Sequence, residues 1–116
     1  MALSNAGKDV MLDALADVAV YVSLHTADPG TTGANEATGG SPAYSRKSIT
    51  WNTAANGNLD SSNQPVFDVP AGTYSHFGLW SAATGGTFYG GGALSASETF
   101  AAQGTYTLTD ADIDVA

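Results

Sequence analysis

The chain has 116 residues, no cysteine and a formal charge of −8, with eleven acids set against Lys8, Arg46 and Lys47. That balance excludes disulfides and thiolate chemistry, a basic groove for nucleic-acid phosphates and attraction to an anionic membrane surface. The length predicts one domain, residues 1–116, able to bury an ordinary core, and no stretch reaches the ~20 apolar residues that span a bilayer.

Residues 1–18 read as an amphipathic N-terminal helix. Leu3, Ala6, Val10, Met11, Ala14, Leu15 and Val18 recur at three- and four-residue steps, with Asp9, Asp13 and Asp17 on the other side. Ser4 or Asn5 suits the N-cap. The expectation is a helix packed through Val10, Ala14, Leu15 and Val18, with its aspartates in water. Those aspartates also interrupt the apolar run that a secretory signal needs. No Asn-x-Ser/Thr sequon occurs. Both observations point to synthesis and folding in a cytoplasm.

Residues 19–109 read as a β domain. Val20, Val22 and Leu24 alternate with Tyr21, Ser23 and His25, a strand with one buried face. Asp28-Pro29-Gly30 makes a turn, with φ preset at proline and positive φ tolerated at glycine. Residues 31–42 have no periodicity and are too many for a hairpin connection. Strands resume at 43–51, and Asn56-Gly57 signals a tight turn. Short strands are expected at 59–61 and 65–69, then a longer one at 73–80 carrying Tyr74, Phe77, Leu79 and Trp80. After a turn at 84–86 come 87–89, then 93–96 and 99–101, as two strands or one with a bulge, and finally 105–109. Phe67, Phe77 and Leu79 are assigned to the core. Residues 110–116 form an acidic C-terminal strand or tail. The rhythm predicts a mainly β fold: a single β-sandwich or barrel-like domain with one N-terminal α-helix and a long Gly/Thr-rich loop. Ala-Thr-Gly-Gly occurs at 37–40 and at 83–86 with different flanks, a reused turn and not an internal repeat.

Candidates for chemistry are few. His25 and His76 are the only histidines, and each falls inside a strand pattern. No Gly-x-Ser-x-Gly elbow is present, and the glycines of 85–92 lack the Lys-Ser/Thr of a phosphate loop. Asp110, Asp112 and Asp114 alternate on one strand face about 7 Å apart, too straight to wrap calcium and suited to a solvated acidic edge. No catalytic residue, cofactor or metal site is therefore assigned. Trp51, Trp80 and Tyr89 suit a glycan-stacking platform, or equally core and interface anchors.

Three stretches, "VSLHTADPGTTGANEATGGSPAYSRKSITW", "PVFDVPAGTYSHFGLWSAATGGTFYGG" and "FAAQGTYTLT", resemble small virion proteins of tailed bacteriophages of actinobacteria, labelled tail fibre or minor tail proteins. The resemblance spans residues 3–109. It implies a non-enzymatic structural protein of the phage particle, made in the host cytoplasm. It would be bound in several copies to other virion subunits, with no nucleic-acid or membrane partner. Tail fibre, minor tail and head-decoration placements all fit, and a glycan-binding module for host attachment is the alternative. The segment from His25 through Asp28, Pro29, Gly30 and Glu36 to Tyr44 is then expected to be an arm contacting a neighbouring subunit, or else an ordinary surface loop.

Overall fold

The computed structural model describes residues 2–109 and 111–114. Among them lie one helix, α1 (Asn5–Val18), and eight strands: β1 (Tyr21–His25), β2 (Lys47–Ser48), β3 (Asn58–Asp60), β4 (Val66–Val69), β5 (Gly72–Trp80), β6 (Phe88–Phe100), β7 (Gly104–Thr107) and β8 (Asp112–Asp114). The fold is mainly β and sandwich-like. A four-stranded antiparallel sheet in the order β2-β1-β5-β6 is accompanied by two ribbons, β4–β7 and β3–β8. Residues 110, 115 and 116 of the acidic terminus lie outside the described residues, but β8 pairs with β3, setting Ile113 opposite Leu59.

Register explains the core. Val22 faces Leu79 and Leu24 faces Phe77 across β1 and β5, so these four side chains share one face of the large sheet. Phe67 and Val69 of β4, with Leu108 just after β7, close over them. Phe67, Phe77 and Leu79 are 0%, 3% and 1% exposed, as their alternation implies. Of the two alternatives for 93–96 and 99–101, the structure has one strand with a bulge, and it also takes in the strand expected at 87–89. Its register against β5 jumps between Tyr74 and His76, and the bulge carries Leu94 into the core. Only Lys47 and Ser48 of the expected strand at 43–51 pair with β1.

Two expectations are corrected. First, β1 does not alternate between core and solvent: Val22, Ser23, Leu24 and His25 are all buried. Its second face, with Ser23, His25, Gly78 and Trp80 on one side of the β1–β5 pair, is roofed by the segment that follows it.

Second, α1 is rotated from the expected face. Ser4 caps it, its hydroxyl accepting from the Gly7 amide. The side chain it buries is Leu12, packed with Ala54 and Leu59, while Leu15 and Ala16 are half-buried beside it. Val10 and Val18 are 71% and 43% exposed, and Ala14 is exposed too. The aspartates cause this rotation. Asp9 accepts from the Gly57 amide and Asp13 from the Ala54 amide, each at 2.8 Å, satisfying turn donors that no strand reaches. Asp13→Ala is accordingly expected to cost about 1–3 kcal/mol by orphaning a part-buried amide. Val10→Ala should change stability by less than about 0.5 kcal/mol. Urea midpoints of the two variants, compared with the parent, check both.

Candidate functional site

The roofed face of the sheet carries the densest polar network of the described residues. It begins at Ser23, His25 and Trp80, which register places on one side of β1 and β5. The Trp80 indole donates to Ser23 Oγ at 2.8 Å, and Ser23 Oγ lies 2.7 Å from His25 Nε2. His25 Nδ1 lies 2.7 Å from the Ala34 carbonyl, which can only accept, so Nδ1 carries the proton and Nε2 takes the Ser23 hydroxyl. Gly78 makes room for this chain: a Cβ there would stand 2.6 Å from Ser23 Oγ and 2.7 Å from His25 Nε2.

The pair of serine and histidine, with an oriented Nδ1, has the outline of a nucleophile and its base. Its setting is closed to solvent. Ser23 and His25 are both 0% exposed, and the serine oxygen already accepts a hydrogen bond from the Trp80 indole N–H.

Segment 26–46 forms the roof. Thr26 N–H donates to the Asn35 carbonyl, Ala37 N–H to the Leu24 carbonyl, and a bridge joins His25 to Glu36. The Tyr44 hydroxyl accepts from the Leu24 amide at 3.0 Å and donates to Glu36 at 2.9 Å. Burial, with the Glu36 carboxylate beside it, pushes the Tyr44 hydroxyl far above the ordinary phenol range. Arg46 closes the network. Its Nε and Nη2 grip both Glu36 oxygens at 3.0 Å, Nη1 donates to the Ala82 and Gly85 carbonyls, and the guanidinium lies 3.5 Å over the Trp80 ring. Arg46 therefore joins both Ala-Thr-Gly-Gly turns: Ala37, Thr38 and Gly39 face Ala83, Thr84 and Gly85 across a cleft of about 330 Å³. Its second half is pinned by Gln103, which accepts from Ser41 N–H and donates to the Pro42 carbonyl.

Of the residues singled out from sequence, His25, Glu36 and Tyr44 thus meet in one network. Pro29 is buried, with its ring near Gly91, while Asp28 and Gly30 are exposed at the tip, the Asp28 carboxylate accepting from Gly30 N–H. Asp28 and Gly30 are open to solvent, and His25 is not. Of the candidate aromatics, Trp80 pairs with Phe88, next to Tyr89, across β5 and β6. Trp80 is covered by Arg46, and Tyr89 is 40% exposed on β6. Trp51 donates to the Ala19 carbonyl and borders a second cleft of about 300 Å³, with Asp13, Asp17, Asn52 and Thr53. Sequence reasoning passed over Ser23 and Arg46. Arg46 had a signal, as one of three cations in a chain of eleven acids.

Burial holds the His25 imidazole below its ordinary pKa. The Ala34 carbonyl and Glu36 oppose that shift, while His76 and Arg46 add to it. The unfolded chain therefore takes up a proton near pH ~6.5 that the folded chain resists. Stability contributed by neutral His25 is present above that pH and lost as pH falls. The melting temperature is expected to drop between pH 7 and 5, and to drop less steeply in His25→Gln. Equal slopes in the two proteins would assign the drop to other groups.

Residues 3–116 match the model of a family described as podophage GP4 fiber I protein gp80. No curated protein matches the chain.

Proposed function

The chain belongs to the podophage GP4 fibre I protein family, and from that premise we propose that it is a non-catalytic building block of the fibre, present in several copies and bound through preformed surfaces to neighbouring virion subunits. As a phage fibre protein it is a structural component of the virion. The observation that carries the proposal is the closed network beneath segment 26–46. Its hydroxyls, imidazole and guanidinium bond to partners within the chain, so the segment holds its shape before any partner arrives. The tip at Asp28 and Gly30 and the exposed turn at 83–86 then form a rigid contact surface at little entropic cost on assembly. Cryo-EM of the particle, with an antibody to this chain as a marker, tests this. Density for several copies on a fibre at the tail supports it. Density on the capsid shell would favour head decoration, and absence from the particle would overturn both.

A second function, contact with a host glycan, is favoured by the cleft beside Trp51. Carboxylates of Asp13 and Asp17, the Asn52 amide and the Thr53 hydroxyl border it together with one aromatic edge, a donor and acceptor set that suits sugar hydroxyls. Binding on a glycan array, lost on Trp51→Ala, would support it. A blank array would leave the structural role alone.

A further inference from the structure

Helix α1 has two apolar sides and buries only the one at Leu12, Leu15 and Ala16. Its carboxylates Asp9 and Asp13 turn toward the domain and bind the Gly57 and Ala54 amides. Its water-facing side carries Ala6, Val10, Met11, Ala14 and Val18, with Asp17 two turns on from Val10 among them, all exposed. Val10, Met11 and Val18 are 71%, 50% and 43% exposed and make up three of the six large apolar side chains exposed among the described residues. Soluble surfaces scatter such residues singly, and a contiguous stripe of them marks a contact.

We propose that this face is a homotypic interface, in which α1 pairs antiparallel with α1 of a second copy of this chain across a two-fold axis. Ala6, Val10, Ala14 and Val18 lie on one i, i+4 ridge, the surface that packs into the groove of a facing helix. Centred between positions 10 and 14, the pair sets Val10 of each copy against Ala14 of the other and Ala6 against Val18. Two alanines on each ridge let the helices approach closely.

Charge selects a second, antiparallel copy over other occupants. The helix has no acid in its first turn and no base in its last, and Asp17 is exposed in that last turn. Within one copy that carboxylate faces the negative end of its own helix dipole, which is unfavourable. In the antiparallel pair each Asp17 lies beside the partner's first turn, around Gly7, where the dipole is positive. A parallel pair would bring the two Asp17 carboxylates together. The stripe supplies far less than the ~800 Å² per partner of a standard interface, so the isolated pair is weak. Within a multi-copy particle, effective concentration makes up the difference. The pairing stands on the exposed stripe and does not depend on the fibre assignment.

Sedimentation equilibrium of the full chain is expected to show a reversible dimer, weakened at least about tenfold by Val10→Asp, with an unchanged circular dichroism spectrum. Met11→Glu is the second variant should Val10→Asp fold poorly. The chain lacks cysteine, so orientation can be read by oxidation. Chains carrying Val10→Cys, mixed with chains carrying Ala14→Cys, should form the mixed disulfide in preference to either homodimer. A monomer at concentrations up to about 1 mM, or a dimer indifferent to both Val10→Asp and Met11→Glu, would overturn the interface. Predominance of the Val10→Cys homodimer would overturn the antiparallel arrangement.

Discussion

Deleting residues 31–40 is expected to unfold the protein and not merely to trim a loop. Taken from sequence, this segment is a Gly/Thr-rich arm whose loss would be nearly free. In the structure it supplies the Glu36 carboxylate to Arg46, the Ala34 carbonyl to His25, the Asn35 carbonyl to Thr26 and the Ala37 amide to Leu24. Without it, Arg46, whose side chain is only 9% exposed, keeps its place over Trp80 with no carboxylate. A buried charge stripped of its partner costs on the order of 3–5 kcal/mol. Each orphaned backbone group adds about 1–3 kcal/mol, against a typical total stability of ~5–15 kcal/mol. Glu36→Ala should reproduce much of the loss, tempered because Glu36 is itself 21% exposed. Near-ultraviolet circular dichroism and a urea titration of both variants read the effect. A deleted chain that unfolds cooperatively within about 1 kcal/mol of the parent would show that the segment is an appendage after all.

Phe77→Ala is expected to cost about 3–5 kcal/mol. Phe77 sits in β5, the strand flanked by β1 and β6, opposite Leu24, and is 3% exposed. Its ring also lies over Gly92 of β6, where a Cβ would come within 3.2 Å of Phe77 Cε1. Strands on both sides fix the surrounding backbone, so the cavity left by the ring has little room to collapse. The urea midpoint should fall without a change in slope. A loss below 1 kcal/mol would mean that the ring is not enclosed.

These two expectations divide what sequence makes legible from what it hides. Phe77 is readable because its causes are local: alternation along a strand, ended by turns whose residues have unusual φ. Gly85 and Gly86, in the turn after β5, have φ of 61° and 76°, and Asn56 and Gly57 at 54° and 76° show the same at another turn. The fold of segment 26–46 is not readable because its anchors are remote. Arg46 reaches Ala82 and Gly85, and Gln103 holds Ser41 across 62 residues. No local pattern announces such pairs. The face of α1 was misread for a third reason. Leu12, Leu15 and Ala16 make one apolar side and Val10, Met11, Ala14 and Val18 another, so periodicity does not choose between them. The choice falls to two turn amides that need Asp9 and Asp13. Glu36, Tyr44 and His25, which the sequence places in a candidate contact arm, are brought together by contacts within their own chain, and no local pattern shows that either.

The borders of the four-stranded sheet bear on whether another chain can add to it through its backbone. A bare strand border invites backbone addition by any other chain, the route to amyloid. On one side β2 covers only Tyr21 and Val22, and segment 26–46 takes up the rest: the Leu24 amide goes to Tyr44 and the Leu24 carbonyl to Ala37. On the other side β6 is broken by its bulge, twisted at Gly90 with φ 150°, and charged at Glu98. Neither border offers a flat, regular row of donors and acceptors. Backbone addition along the four-stranded sheet, the indefinite stacking open to so many β proteins, is therefore hindered at both of its borders.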